Sequence, residues 1–322
     1  MGVFTALGEA ELVELATAFG LGAVERFHPI AAGTINSNFE LVVAGGERYF
    51  VRVNEGKAEA DVAWEARLVT ALANAGVATP PPLVAKSGLP YAPIDRKWAS
   101  VFPWRTGVHL AAEAVTPAHA AAFGAALAKL HIAGLALPTA WWRGSIYDQE
   151  HLSARFERCA RVDDKALARA IAILREELAV AREAAPIRRA ATHGIIHGDL
   201  FRDNVLWDGD RISAVLDFEQ ASGGSLVYDL AVCINDWCWT IFPRFDLAAA
   251  LVGGYREVRP LSAADLAALP IEVRAAAARF TLTRITDVYL ARVDNPEKDF
   301  RAFLARCEAW RGPALGQLTA AV

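Results

Sequence analysis

The stretch IIHGDLFRDNVLWDG, residues 195–209, and the segment ISAVLDFE that follows at residues 212–219 decide how the chain is read. NVLW and ISAVLD are short apolar runs of strand character, and the polar turn DGDR at residues 208–211 joins them, so the spacing predicts a β-hairpin. Its flanks carry chemistry. His197, Asp199 and Asn204 crowd into the loop before the first strand, and Asp217 stands at the end of the second. Transfer of a phosphoryl group needs a carboxylate to orient an acceptor hydroxyl and take its proton, and hard oxygen ligands to hold magnesium against nucleotide phosphates. Asp199 suits the first task; Asn204 and Asp217 suit the second. Taken singly, each of these residues also reads as an ordinary turn or strand-end residue; the constellation carries the expectation. Its pattern, H-x-D-x-x-x-x-N with a later Asp, is the spacing of a kinase catalytic loop.

Composition narrows the partners. The chain has 322 residues, more than a single core usually organises, so one large domain or two lobes is expected. A formal charge of −4 with both signs mixed throughout offers no basic stripe for nucleic acid and no polybasic segment for a membrane. A small-molecule partner is the expectation. The most apolar helix candidate contains Lys129 and His131, which are read as interrupting it before it could span a bilayer. The start, MGVFTALGEAELVEL, lacks a basic region followed by an apolar one. Cys159, Cys233, Cys238 and Cys307 show neither CxxC pairing nor a His cluster, and read as buried thiols of a protein in a reducing cytoplasm.

The organisation changes near residue 103. GEAELVELATAFGL repeats apolar residues at helical spacing, FHPI, NFELVV and RYFVRV read as strands, residues 58–75 as a helix, TPPPLV as an extended turn and KWASVF as a further strand. From Thr116 onward the pattern is almost wholly helical apart from the hairpin. The expected fold is α+β and two-lobed, protein-kinase-like, with a small β-rich lobe over residues 1–103 and a larger, mainly helical lobe over 104–322.

HGDLFRDNVLWDG with ISAVLDFEQA resembles the aminoglycoside phosphotransferase and choline kinase superfamily, whose members phosphorylate small molecules with a protein-kinase-like fold. Within it, GTINSNFEL, YDLAVCINDWCW, RFTLTRITDVYL and DNPEKDFRAFL resemble bacterial homoserine kinases of the choline-kinase-like type. The resemblance spans nearly the whole chain and implies an ATP- and magnesium-dependent transfer to a small hydroxyl compound. Homoserine leads; choline, an aminoglycoside or a sugar alcohol is the alternative acceptor, and a silent nucleotide-binding protein is a third reading that intact Asp199, Asn204 and Asp217 oppose. Arg202 departs from the small or cyclic residue the resemblance leads one to expect.

Nucleotide contacts are expected from the first lobe. Gly33, Ser37 and Asn38 in GTINSN offer backbone amides and short donors to phosphate, with a plain turn as the alternative. Arg52 stands where kinases place a third-strand lysine, and Glu65 on the next helix would orient it. Phe102 and Trp104 are placed at the adenine hinge. His197 and Asp229 are expected to brace the catalytic loop, and His131 to be a satisfied interior histidine. For a zwitterionic acceptor, Asp236 with Asn235 would hold the ammonium, and Arg284 or Arg202 the carboxylate.

Overall fold

The computed structural model describes residues 5–30 and 36–322. They fall into two compact units, residues 5–107 with 213–216, and residues 108–212 with 217–322. The first unit therefore runs past the residue-103 boundary and takes in the end of the hairpin's second strand.

In the first unit, strands β1 (Val24–Ile30), β2 (Ser37–Val43), β3 (Arg48–Asn54), β4 (Ala92–Ile94) and β5 (Lys97–Pro103) form an antiparallel sheet in the order β1-β2-β3-β5-β4. Alternation in β2 explains the register: Phe39 and Leu41 are buried while Asn38 and Glu40 are only partly covered. The buried face of Phe39, Leu41, Val51, Val53, Ala99 and Val101 meets Leu12, Leu15 and Phe19 of helix α1 (Glu9–Phe19) in one core cluster. Helix α2 (Glu59–Asn74) follows β3 and buries Val62, Leu68, Val69 and Leu72 along one stripe.

The second unit is built on helices α3 (Pro117–Leu135), α4 (Gln149–Ala160), α5 (Ala168–Glu183), α6 (Ala185–Ala190), α7 (Leu226–Asp236), α8 (Phe245–Val258), α9 (Ala263–Arg284), α10 (Phe300–Trp310) and α11 (Pro313–Ala321). Helices α3 and α8 cross at glycines. A Cβ on Gly124 would lie 2.0 Å from the Leu251 carbonyl oxygen, and one on Gly254 would lie 2.1 Å from that of Ala121, so the two backbones touch. Contrary to the expected interruption, Lys129 and His131 lie within α3, which is the one described helix long and apolar enough by composition to cross a bilayer. Here Lys129 points to solvent, and Phe123, Leu127, Leu130 and His131 are buried against the protein.

Strands β6 (His193–Ile196) and β9 (Ser222–Ser225) pair antiparallel, and β7 (Val205–Asp208) and β8 (Arg211–Val215) form the hairpin. The β6–β9 pair is absent from the sequence reading, for a physical reason: SGGS has no strand propensity. Its glycines admit a neighbour instead, since a Cβ on Gly224 would sit 2.6 Å from Ile196 Cδ1.

Candidate active site

The loop between β6 and β7 holds Asp199, and buried polar contacts fix it from below. Asp229, on α7 and fully buried, accepts hydrogen bonds from the backbone amides of His197 and Gly198, each at 2.8 Å. His131 Nε2 lies 3.1 Å from the same carboxylate, and its Nδ1 lies 2.8 Å from the Tyr255 hydroxyl. Burial pushes the Asp229 carboxyl up, but the bond and charge of His131, with His197 behind it, hold it below the ordinary aspartate value. His131 is thus the satisfied interior histidine and Asp229 the brace. Leu200, next to Asp199, has its carbonyl anchored by Trp237 Nε1 at 3.0 Å. Trp237 is fully buried and stacked on Phe123 at 4.2 Å, so it belongs to the core.

Asn204 closes the loop: its Nδ2 donates to the Asp199 carbonyl at 2.7 Å. The amide nitrogen is thereby committed, and Oδ1 remains as an oxygen donor. Asp217, two residues past β8, adopts φ 64° and ψ 67°, a left-handed conformation that aspartate tolerates better than most residues. The turn after Asp217 sits on the loop that carries Asp199. The Phe218 ring lies 4.6 Å from that of His197, and Gly198, at φ 80°, has room for no side chain because a Cβ would lie 3.1 Å from the Gln220 carbonyl oxygen. Arg143 pins the turn by donating to the Glu219 and Ala221 carbonyls at 2.6 and 2.8 Å.

Asp199 itself has a partner that sequence reasoning did not find. Arg279 of α9 is buried, places Nη1 3.3 Å from Asp199 Oδ1 and 3.2 Å from the Gly198 carbonyl oxygen, and is sandwiched over the rings of Tyr147 and Phe280 at 3.9 and 3.8 Å. Arg279 is 80 residues away from Asp199 in an alanine-rich helix, and nothing local marks it.

The acceptor candidates are placed differently from the expectation. Arg202 and Asp236 pair with each other: Nε and Nη2 donate to Oδ2 and Oδ1 at 3.0 and 3.3 Å, and the Arg202 amide adds a bond to Oδ2 at 2.8 Å. The arginine that departs from the family pattern is therefore neutralised within the fold and does not present a free cation. Asn235 is fully buried and satisfied. Its Nδ2 donates to the Ala231 and Val273 carbonyls, both at 2.9 Å, and its Oδ1 accepts from Trp310 Nε1 at 2.9 Å, so it offers a ligand nothing. Arg284 lies over Phe303 at 4.4 Å and donates to the Asp299 carbonyl at 3.3 Å. Two neighbours were not read from sequence: Asp203, an exposed residue whose carboxyl is raised by the protein atoms around it and by the Asp236 charge, and Arg306 on α10.

In the first unit, Arg52 Nη1 donates to Glu65 Oε1 at 2.8 Å, and Lys57, also unread in the sequence, reaches Glu65 Oε2 at 3.2 Å. Asn38 faces Arg52 across the β2–β3 register, and Phe102 lies 5.6 Å from the guanidinium. Ser37 departs from the expected phosphate donor: it is buried, and its hydroxyl donates to Glu55 at 2.7 Å, a carboxylate that also takes Thr5 and Lys97. Trp104 carries Arg48 over its ring at 4.2 Å. Gly33 lies outside the described residues.

A small antiparallel sheet, a helical unit, and an HxD loop followed by an Asp-bearing turn define a kinase-like phosphotransferase. The chain belongs to the phosphotransferase enzyme family APH, which matches residues 26–261. It is similar to a protein named homoserine kinase from Methylobacterium radiotolerans, at 37% identity over 290 residues covering 89% of this chain and 88% of that one. Another homoserine kinase, from Parvibaculum lavamentivorans, is 31% identical over 322 residues, covering 98% and 97%. Among solved structures, an amicoumacin kinase in complex with AMP-PNP, Ca2+ and Ami superposes with a TM-score of 0.73 over 96% of this chain and 94% of that one, at 15% identity.

Proposed function

We propose that the protein transfers the γ-phosphoryl group of ATP, with magnesium, to the hydroxyl of L-homoserine, giving O-phospho-L-homoserine for threonine synthesis. The observation that carries the reading is the Asp199 carboxylate, held on a loop tied to Asp229 and steered by Arg279. Asp199 orients the acceptor hydroxyl and takes its proton as the bond to phosphorus forms. The residues present suit a magnesium ion. Asn204 Oδ1 and the Asp217 carboxylate are hard oxygen donors, and among the described residues no cluster of three or more His, Cys, Asp or Glu competes for the metal. Bound there, the ion would neutralise charge on the nucleotide phosphates. Arg52, braced by Glu65, supplies a fork for phosphate oxygens, with Asn38 beside it in the sheet and Phe102 and Trp104 on the adenine side.

Homoserine is favoured by the two similar proteins of that name and by the mixture of charges near Asp199. Asp203 supplies the negative charge for an ammonium, Asp236 beside it being paired with Arg202, and Arg284 the positive charge for a carboxylate. The four cysteines are free and buried, as suits a reducing cytoplasm. The test is an acceptor panel with MgATP: L-homoserine, L-serine, choline, an aminoglycoside and a sugar alcohol. L-Homoserine is expected to give the highest kcat/KM. L-Serine, one carbon shorter, is expected to fall well behind because its hydroxyl misses Asp199 once both charges are anchored. Choline or an aminoglycoside outperforming homoserine would leave the phosphotransferase reading and remove the acceptor.

A further inference from the structure

The cations around Asp236 are not equivalent. Arg202 pairs with Asp236, whereas among the described residues Arg284 and Arg306 bond only to backbone carbonyls. Arg306 Nε donates to Asn235 O and its Nη1 to Ala302 O, each at 2.6 Å, and among the described residues neither Arg284 nor Arg306 has a carboxylate within ion-pair distance. Both guanidiniums lie 4.4 Å from the centroid of one ring, Phe303, and Arg306 also lies 5.0 Å from Trp239. Two like charges held beside one aromatic ring repel, and burial adds to the cost. Burial lowers the pKa of Arg284 despite the nearby aspartates, and burial together with Arg284 and Arg202 pushes Arg306 down to about 10 against the pull of Asp236. A bound anion would relieve both.

The ring under these cations connects to the catalytic carboxylate. Phe303 meets Phe280 at 5.1 Å and Phe201 at 5.8 Å, and Phe280 carries Arg279, whose Nη1 reaches Asp199. One aromatic floor thus bears the hydroxyl-orienting carboxylate beside one ring and two guanidiniums without anions beside the next. Phe201, adjoining Arg202 in the same loop as Asp199, meets both rings edge-on.

We propose that Arg306, together with Arg284, clasps the carboxylate of the acceptor, and that Arg306 is the residue that selects amino acids over simple amino alcohols. This rests on the reading that a small hydroxyl compound is phosphorylated at Asp199. Arg306 reaches the clasp from α10, and its backbone bond to Asn235 O fixes its direction. A flexible lysine would supply the charge without the fork.

The experiment compares kcat/KM for L-homoserine and for 3-aminopropan-1-ol, which keeps the hydroxyl-to-ammonium spacing and lacks the carboxylate, in the wild type, Arg306→Ala and Arg306→Lys. Loss of a charge-assisted bond predicts that the homoserine-to-aminopropanol ratio falls about 10- to 100-fold in Arg306→Ala, chiefly through the homoserine KM, and recovers in part in Arg306→Lys. An unmoved ratio in both variants, or equal losses for the two acceptors that follow a loss of thermal stability, would make Arg306 a strut between α10 and α7 and overturn the proposal. Calorimetry with 4-hydroxybutanoate, which has the carboxylate and hydroxyl but no ammonium, separates the two ideas. Binding that depends on Arg306 in a protein inactive toward homoserine keeps the clasp and removes the homoserine reading. Homoserine turnover with 4-hydroxybutanoate binding, or its absence, indifferent to Arg306 keeps the reading and removes the clasp.

Discussion

Replacing Arg279 by methionine should separate the positioning of the Asp199 carboxylate from the stability of the helical unit. The substitution keeps a long apolar stem between Tyr147 and Phe280 and removes two bonds, to Asp199 Oδ1 at 3.3 Å and to the Gly198 carbonyl at 3.2 Å. Bonds to charged groups contribute about 1.5–3 kcal/mol, but both are at the long end. The Asp199 side chain is 27% exposed and can rehydrate, while the arginine side chain is 4% exposed, so its own desolvation cost also disappears. With about 1 kcal/mol for the lost cation–π contacts, the net destabilisation comes to about 2 kcal/mol. For a chain of 322 residues that is about 3 °C in Tm. The kinetic effect should be larger. Asp199 loses the group that sets its side-chain direction, and a displacement of about 1 Å costs about 100-fold in rate. The assay is thermal unfolding of Arg279→Met and Arg279→Lys beside steady-state kinetics with MgATP and the best acceptor. The expected pattern is a kcat lowered about 100-fold in Arg279→Met, less in Arg279→Lys, with the KM for ATP little changed. A Tm loss with kcat within twofold of wild type would refute the positioning role and leave Arg279 a packing residue.

Three further expectations follow from the same contacts. Asp217→Asn, which tolerates the left-handed backbone at φ 64°, should lose most affinity for magnesium nucleotide in calorimetry while unfolding near the wild-type temperature; Asp217→Ala adds backbone strain of about 1–2 kcal/mol, so the asparagine variant is the cleaner probe. Gly254→Ala should destabilise by at least about 3 kcal/mol in denaturant titrations, because its Cβ would lie 2.1 Å from a backbone oxygen of α3 that cannot rotate away. Asp229 has a folded pKa below its unfolded value of about 3.9, so its contribution is present above that pH and is lost as pH falls through the lower folded value; Asp229→Asn should be less stable than wild type at pH 7, and the gap should narrow under acid in pH-resolved unfolding.

What the sequence made legible was local. The catalytic loop, the hairpin and Asp217 share 23 consecutive residues from Ile195 to Asp217, so their spacing could be read directly. The Arg52–Glu65 pair is also local, 13 residues apart on β3 and the next helix. What could not be read depends on contacts distant along the chain. Arg279 and Arg306 are arginines in helices α9 and α10 whose patterns also suit solvent-facing residues, and only packing brings one to Asp199 and the other to Phe303. Ser37 and Asn235 illustrate the converse. Their short polar side chains looked available, but Glu55 claims the first, and Trp310 with two backbone carbonyls claims the second. Arg202 looked anomalous until its pairing with Asp236 accounted for it.

The central claim is that Asp199 performs the proton and orientation chemistry of phosphoryl transfer. Asp199→Asn keeps the size of the side chain and leaves Gly198 O for Arg279 to hold, so folding and magnesium nucleotide affinity should stay close to wild type. Single-turnover transfer from ATP to L-homoserine by this variant should be slower by about 100- to 10,000-fold, the usual contribution of a positioned general base. A transfer rate within a few-fold of wild type, at unchanged nucleotide affinity, would contradict the account.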